Sequence, residues 1–189
     1  STTHGRGQLS RLWLGSVADQ LMRRLPVPVL LLRPQEKADA ANVPPIKRIT
    51  VAVDGSPFAE QALELAASFA RIFDAVLDLL FVVEPPAPIA DPSGLMVIPP
   101  MAEAEANLRK QAVAYLDRVA RRLAAEGLAV ETNAVDGANP ASTILQHSAK
   151  QNAGLIALAT HGAGGLERLM VGSVADKVIR GATTPVLVV

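Results

Sequence analysis

The stretch THGRGQLSRLWLGSVAD at residues 3–19 returns as THGAGGLERLMVGSVAD at residues 160–176. The match runs without a gap from 1–32 to 158–189 at a constant offset of 157, and 16 of the 32 positions are identical. They include His4/His161, Gly5/Gly162, Gly15/Gly172, Ser16/Ser173, Asp19/Asp176 and Pro28/Pro185. Self-similarity of this kind means that one structural unit has been copied. Only the last part of the first copy is present, so the chain divides into three pieces. Residues 1–34 read as the C-terminal remnant of a first repeat, a helix (about 15–24) plus its last strand (28–32). Residues 35–46 read as a linker, polar and alanine-rich and closed by Pro44-Pro45. Residues 47–189 read as one complete unit.

Within that unit short apolar runs alternate with helical patterns. ITVAV (49–53) is β-branched and ends in the turn DGSP, so it predicts a buried strand. A helix follows with Ser56 as N-cap and Pro57 at its first position, and Phe58, Ala62, Leu65, Phe69 and Ile72 mark its expected inward stripe. AVLDLLFVV (75–83) is a second strand, and the stretch 85–100 is too proline-rich for either regular element. A long helix spans 101–126, with Leu108, Ala112, Tyr115, Val119 and Leu123 as its apolar face and Gly127 as its stop. AVETNAV (129–135) alternates like an edge strand. Asn139-Pro140 opens a helix with Ile144 and Leu145 inward, 154–160 is a fourth strand, 172–180 a short helix and 185–189 a fifth strand. This alternation predicts an α/β fold, a parallel sheet covered on both faces.

Composition removes several function classes. Eighteen basic and eighteen acidic residues leave no net charge, which argues against a nucleic-acid surface that relies on a positive field. Absence of cysteine excludes disulfides and thiolate metal sites. No apolar run reaches membrane-spanning length, since Asp78 breaks AVLDLLFVV. The opening residues lack the apolar segment of a signal peptide. A soluble, cytoplasmic protein with no nucleic-acid or membrane partner is the expectation.

The stretch Ala159–Ser173 reads as a small residue, two others, Gly162, nine others, then Gly172-Ser173 opening a helix. Glycines in such a turn let backbone amides approach a phosphate, because no Cβ intervenes. Gly172, Ser173 and Val174 then begin a helix whose free amides and dipole favour an anion. The spacing resembles the hallmark of the universal stress protein family, G-x-x-G, nine residues, then G-[ST]. VAVDGS (51–56) and TPVLVV (184–189) strengthen the resemblance. Two positions depart from the pattern: Ala159 stands at the first hallmark glycine, placing a methyl where the backbone should be barest, and Gly154 stands where relatives often carry an acidic residue.

The resemblance implies an open five-stranded parallel sheet of order 3-2-1-4-5, adenine nucleotide alpha hydrolase-like, with strands 1 and 4 adjacent where the order reverses. It implies binding of ATP or another adenine nucleotide, with or without Mg2+. On this reading Ala52, Val53 and Asp54 border base and ribose, and Val82 presents backbone groups to the adenine edge. Ala159, His161 and Gly162 line sugar and phosphates, while Gly172, Ser173 and Val174 hold the phosphate chain. It further implies antiparallel pairing of last strands, so that 28–32 and 185–189 join either within the chain or in a homodimer. The remnant's own motif, Gly5 and Gly15-Ser16, lacks a first-strand aspartate and is not expected to bind nucleotide unaided. It is either a piece of a longer tandem protein or a segment that docks on a neighbouring molecule.

No nucleophile–base pair, carboxylate pair or metal cluster stands out, so no catalytic residue and no metal site is expected. The chain reads as a stress-response binder or slow switch, with weak ATP hydrolysis left open. The alternative is a nucleotide-free dimerisation or scaffold module in which Ala159 blocks the pocket. Bland readings stand beside the sharp ones. Asp54 also suits a turn cap, and Gly164-Gly165 suit either loop flexibility or phosphate contact. His147 reads as structural, Arg121-Arg122 as a solvated helix side, Trp13 as interface packing. Leu95, Met96, Val97 and Ile98 read as a lid or as a latch onto the domain.

Overall fold

The computed structural model describes residues 27–32, 45–85, 89–90, 96–97, 101–160 and 172–189. In chain order the elements are β1 (Val29–Leu31), β2 (Arg48–Val53), α1 (Pro57–Phe73), β3 (Val76–Val83), β4 (Ile89–Ala90), β5 (Met96–Val97), α2 (Met101–Ala125), β6 (Val130–Asp136), α3 (Pro140–Lys150), β7 (Leu155–Leu158), α4 (Ser173–Gly181) and β8 (Val186–Val188). One six-stranded sheet runs β6-β3-β2-β7-β8-β1. Its first five strands are mutually parallel, and β1 is antiparallel to β8. Counted within 47–189, those five give the order 3-2-1-4-5. The sixth strand, β1, precedes that stretch in the chain. It pairs in the chain itself, with Val29 opposite Val188, Leu30 opposite Leu187 and Leu31 opposite Val186.

The sheet is apolar on both faces because its strands alternate between two cores. Ile49, Val51, Val53, Leu77, Leu79, Leu155 and Leu187 point to the side covered by α1 and α2. Leu80, Ile156, Leu158, Val186 and Val188 point to the side covered by α3 and α4. α2 buries Ala112, Tyr115, Val119 and Leu123 as the periodicity predicts, joined by Leu116, while Leu108 is 39% exposed.

The inward stripe expected for α1 requires correction. Of its five residues only Ala62 is buried; Phe58 is 42% and Ile72 74% exposed, and Leu65 and Phe69 pack at the margin. The buried face is Ala59, Ala62, Leu63, Ala66, Ala67 and Ala70. Both sets have helical spacing. A face of methyl groups lets the helix axis close on the sheet, and close packing is what stabilises the interface. The bulky residues then flank the contact. The proline-rich stretch also departs from expectation: Ile89 and Ala90 pair antiparallel with Val97 and Met96. Neither pairing segment contains proline, so its amides are available to a short ladder. Leu95 and Ile98 lie outside the described residues, as do Trp13 and the helix expected at about 15–24.

A buried polar knot sits beneath α3. Asp78, in the middle of β3, is fully buried. It accepts hydrogen bonds from Thr50 Oγ1 (2.8 Å) and Asn133 Nδ2 (2.9 Å), and His147 Nε2 lies 2.9 Å from its Oδ2. His147 is itself buried, in line with its structural reading. At the rim Arg48 makes a bidentate pair with Glu131, at 2.6 and 3.1 Å. The hydrogen bond to Arg48 holds the Glu131 carboxyl below its ordinary value.

Across the other face Tyr115 donates to Glu60 Oε1 at 2.8 Å, and Arg122 bridges Glu60 and Glu64. Burial first, then the hydrogen bond to Glu60 and the nearby carboxylates, raises the Tyr115 phenol above its ordinary value. The folded chain therefore holds this proton more tightly than the unfolded chain. The contribution is complete at neutral pH and drains away above about pH 10, where the unfolded phenol ionises first. Tyr115→Phe is expected to cost about 1 kcal/mol at neutral pH through the lost hydrogen bond. It should also flatten the alkaline fall in thermal midpoint. Melting curves of both proteins between roughly pH 8 and 11 would check this; parallel curves would disprove it.

Candidate functional site

β2 ends in Asp54-Gly55-Ser56, a turn built by its own side chains. Asp54 Oδ1 accepts from the Ser56 amide at 3.0 Å, and Gly55 takes φ +79°, which a Cβ would oppose. Ser56 Oγ then accepts from the Ala59 amide at 3.2 Å and caps α1, with Pro57 in the first turn. The turn role considered for Asp54 is thus realised. Its carboxylate nonetheless sits at an exposed position on the strand's C-terminal edge.

β7 ends in a second closure. Thr160 donates its amide and its hydroxyl to the Val189 carbonyl, at 2.7 and 3.0 Å. Its own carbonyl accepts from the Gly172 amide at 2.7 Å, so the two ends of the segment 161–171 are pinned together. A Cβ on Gly172 would lie 2.9 Å from that carbonyl oxygen, which only glycine avoids without displacing backbone. Thr160 was not singled out from the sequence. Its signal was present in the repeat, where Thr3 and Thr160 are identical.

Gly172 also caps α4. α1 and α3 are capped by the side chains of Ser56 and Asn139, whereas α4 starts without a side-chain cap bond. Its first-turn amides, at Ser173, Val174 and Ala175, are therefore left to other acceptors. Ser173 is exposed beside them. This is the local chemistry of an anion site.

The sheet register brings the two turns together. Ala52 pairs with Leu80 and Val53 with Phe81, so Val82 stands one residue further along β3. Val51 pairs with Ala157, so Val53 and Ala159 stand two residues beyond the last ladder pair on neighbouring strands. From this edge β2 leads into α1 on one face, and β7 leads toward α4 on the other. Here the strand order reverses, and it is at such a reversal that open α/β sheets hold ligands. Ala52, Val82 and Val174 pack against the same core, the one on the α3/α4 face. Ala52, Val53, Asp54, Val82, Ala159, Gly172, Ser173 and Val174 thus gather at one edge. His161, Gly162 and the Gly164-Gly165 pair lie outside the described residues. Two crevices among the described residues lie elsewhere. One of 390 Å³ runs beside Asp117, Arg121 and Thr132, and one of 260 Å³ beside Leu145, Ser148 and Thr184. Neither is lined by a residue expected at the site.

Comparison with known proteins bears on this edge. A family model described as the Universal stress protein family matches residues 2–33 and 45–189. Universal stress protein MJ0531 of Methanocaldococcus jannaschii is 33% identical over 146 residues, covering 76% of this chain and 81% of its own. Universal stress protein UspA from Lactobacillus plantarum superposes with a TM-score of 0.66 at 25% identity, over 76% of this chain and 97% of its own. A universal stress protein solved in complex with cAMP has a TM-score of 0.58 at 23% identity, over 77% and 98%. One from Archaeoglobus fulgidus in complex with dAMP has 0.52 at 22%, over 75% and 96%.

Proposed function

Because the chain belongs to the universal stress protein family, we propose that it binds an adenine nucleotide at the C-terminal edge of β2 and β7, as a binder or slow switch without fast chemistry. The observation that carries this reading is the α4 N-terminus. It lacks a side-chain cap, it is tied to the β7 end by the Gly172–Thr160 hydrogen bond, and it opens at the point where the strand order reverses. Gly172, Ser173 and Val174 would hold the phosphates, Ser173 and Val174 through first-turn amides and the Ser173 hydroxyl, and Gly172 through the bare backbone of its turn, since its own amide is bonded to the Thr160 carbonyl. Asp54 would accept from ribose or base donors, and Val82 would offer backbone groups to the adenine edge. Ala159, His161 and Gly162 would line the sugar and phosphates. The cAMP and dAMP held by two relatives of the same fold support the class of ligand. The DGS turn offers one carboxylate, Asp54, so a Mg2+ accompanying a triphosphate would take its other ligands from phosphate and water.

The two matched stretches, 2–33 and 45–189, support the division into a remnant, a linker and a complete unit. No helix among the described residues is long and apolar enough to cross a membrane.

The Ala159 methyl favours one rival, a nucleotide-free scaffold of the same fold. A single measurement separates the two. Protein purified, denatured and chromatographed should release ATP, ADP or AMP, and calorimetric titration of the emptied protein should restore binding. An absence of co-released nucleotide together with no heat at millimolar ATP or AMP would leave the scaffold.

A further inference from the structure

α4 starts on a glycine and has no side-chain cap bond, so its first amides take their place from outside the helix. Packing of Ala175, Val178 and Ile179 decides which face α4 buries. Apolar contact is non-directional, however, and sets the position along the helix axis only loosely. Hydrogen bonds are directional and short-ranged. Gly172 donates its amide to the Thr160 carbonyl at 2.7 Å, and its own carbonyl accepts the first bond of the helix, from the Asp176 amide at 2.9 Å. The direction of the Thr160 carbonyl therefore bears on where the Ser173 and Val174 amides stand.

Thr160 is held in turn by Val189. The Val189 amide donates to the Leu158 carbonyl at 3.1 Å, and the Thr160 amide donates to the Val189 carbonyl at 2.7 Å, so these two bonds continue the parallel β7–β8 ladder. Any residue but proline would make the amide bond. The hydroxyl bond from Thr160 Oγ1 to the same carbonyl, at 3.0 Å, is what threonine adds. Two bonds from one residue to one oxygen close a small ring, which restricts rotation of the Thr160 backbone and aims its carbonyl at Gly172. Val189 packs against the core under α1 and α2, whereas Val174 packs against the core under α3 and α4. The relay Val189–Thr160–Gly172 thus crosses from one face of the sheet to the first turn of α4 on the other. We propose that Thr160 is a positioning residue for the phosphate end of the ligand: its hydroxyl aligns the Ser173 and Val174 amides by way of Gly172. This rests on the nucleotide reading given above. It separates the two ends of the ligand, because phosphate binding depends on the hydroxyl and adenosine binding does not.

In the full chain, Thr160→Val keeps the β-branched shape and the backbone groups and removes the hydroxyl alone. Thr160→Ser keeps the hydroxyl. Calorimetric titration of the parent and both variants with ATP, and separately with adenosine, tests the split. The valine variant is expected to bind ATP roughly tenfold more weakly while its adenosine affinity stays within about twofold of the parent, and the serine variant to recover ATP binding. Amide exchange of the ligand-free proteins gives a second readout. The Gly172 amide should exchange roughly tenfold faster in the valine variant, while those of Leu79 and Ile156, deep in the sheet, keep their rates. Equal losses of ATP and adenosine affinity would reduce Thr160 to a structural role and overturn the proposal. So would full ATP affinity in the valine variant, failure of serine to recover it, or an unchanged Gly172 amide. A parent that binds neither compound would overturn the nucleotide reading itself, and this inference with it.

Discussion

Gly172→Val is expected to weaken the proposed nucleotide binding roughly 100-fold or more, while leaving most of the fold in place. Gly172 has φ −57° and ψ 151°, a conformation valine adopts readily, so backbone strain is not the obstacle. The obstacle is the Thr160 carbonyl, 2.9 Å from where a Cβ would stand. Relief requires the 160–172 closure to open, which turns the first-turn amides of α4 away from the C-terminal edge of β2 and β7. Hydrogen bonds to a charged phosphate are worth about 1.5–3 kcal/mol each, so misplacing two amides accounts for the loss. Overpacking costs the fold about 1–3 kcal/mol, which thermal denaturation would register separately. Ser173→Ala removes one hydroxyl and should weaken binding by about tenfold or less. Calorimetry with ATP and AMP on the three proteins checks the series. Retained affinity in the valine variant would move the phosphate site elsewhere.

The second large effect concerns stability. Asp78→Ala is expected to destabilise the protein by about 3–5 kcal/mol, because Thr50, Asn133 and His147 all direct polar atoms at the deleted carboxylate. Each stranded buried donor costs about 1–3 kcal/mol, and the vacated space adds its own term. For a chain of this size the thermal midpoint should fall by roughly 10 °C or more. His147→Ala should cost less, since Asp78 keeps Thr50 and Asn133. Asp78→Asn should fall between them, retaining an acceptor while placing a second amide near His147. Denaturant unfolding monitored by circular dichroism would rank the three. An alanine variant within about 1 kcal/mol of the parent would mean that the knot is not a stabilising anchor.

That knot was not legible in the sequence. In the sequence Asp78 is only a break in an apolar run, and its partners lie 28, 55 and 69 residues away. Nothing in local spacing links Thr50 on β2 to His147 on α3; the parallel crossover connections put them on one face. The face chosen by α1 was likewise hidden. Two sets of residues satisfied a 3.6 period, and size favoured the wrong one, because closeness of approach depends on what the helix meets. The candidate site was more readable. DGSP announced a strand end and a capped helix, and Gly172-Ser173 announced a helix that starts on glycine. What could not be read was that Thr160 bonds both Val189 and Gly172, since that depends on the two arriving at the same point.

By itself the sequence determined the copied unit, the alternation of strand and helix, and which residues terminate each element. These are properties of spacing and of single-residue conformational preference, and they act over a few positions. Only the tertiary structure decided which of two apolar faces α1 buries, where the polar knot closes, and which strand occupies the β8 edge. Each of those outcomes turns on contacts between segments far apart in the chain, where packing distance and hydrogen-bond satisfaction outweigh any local preference.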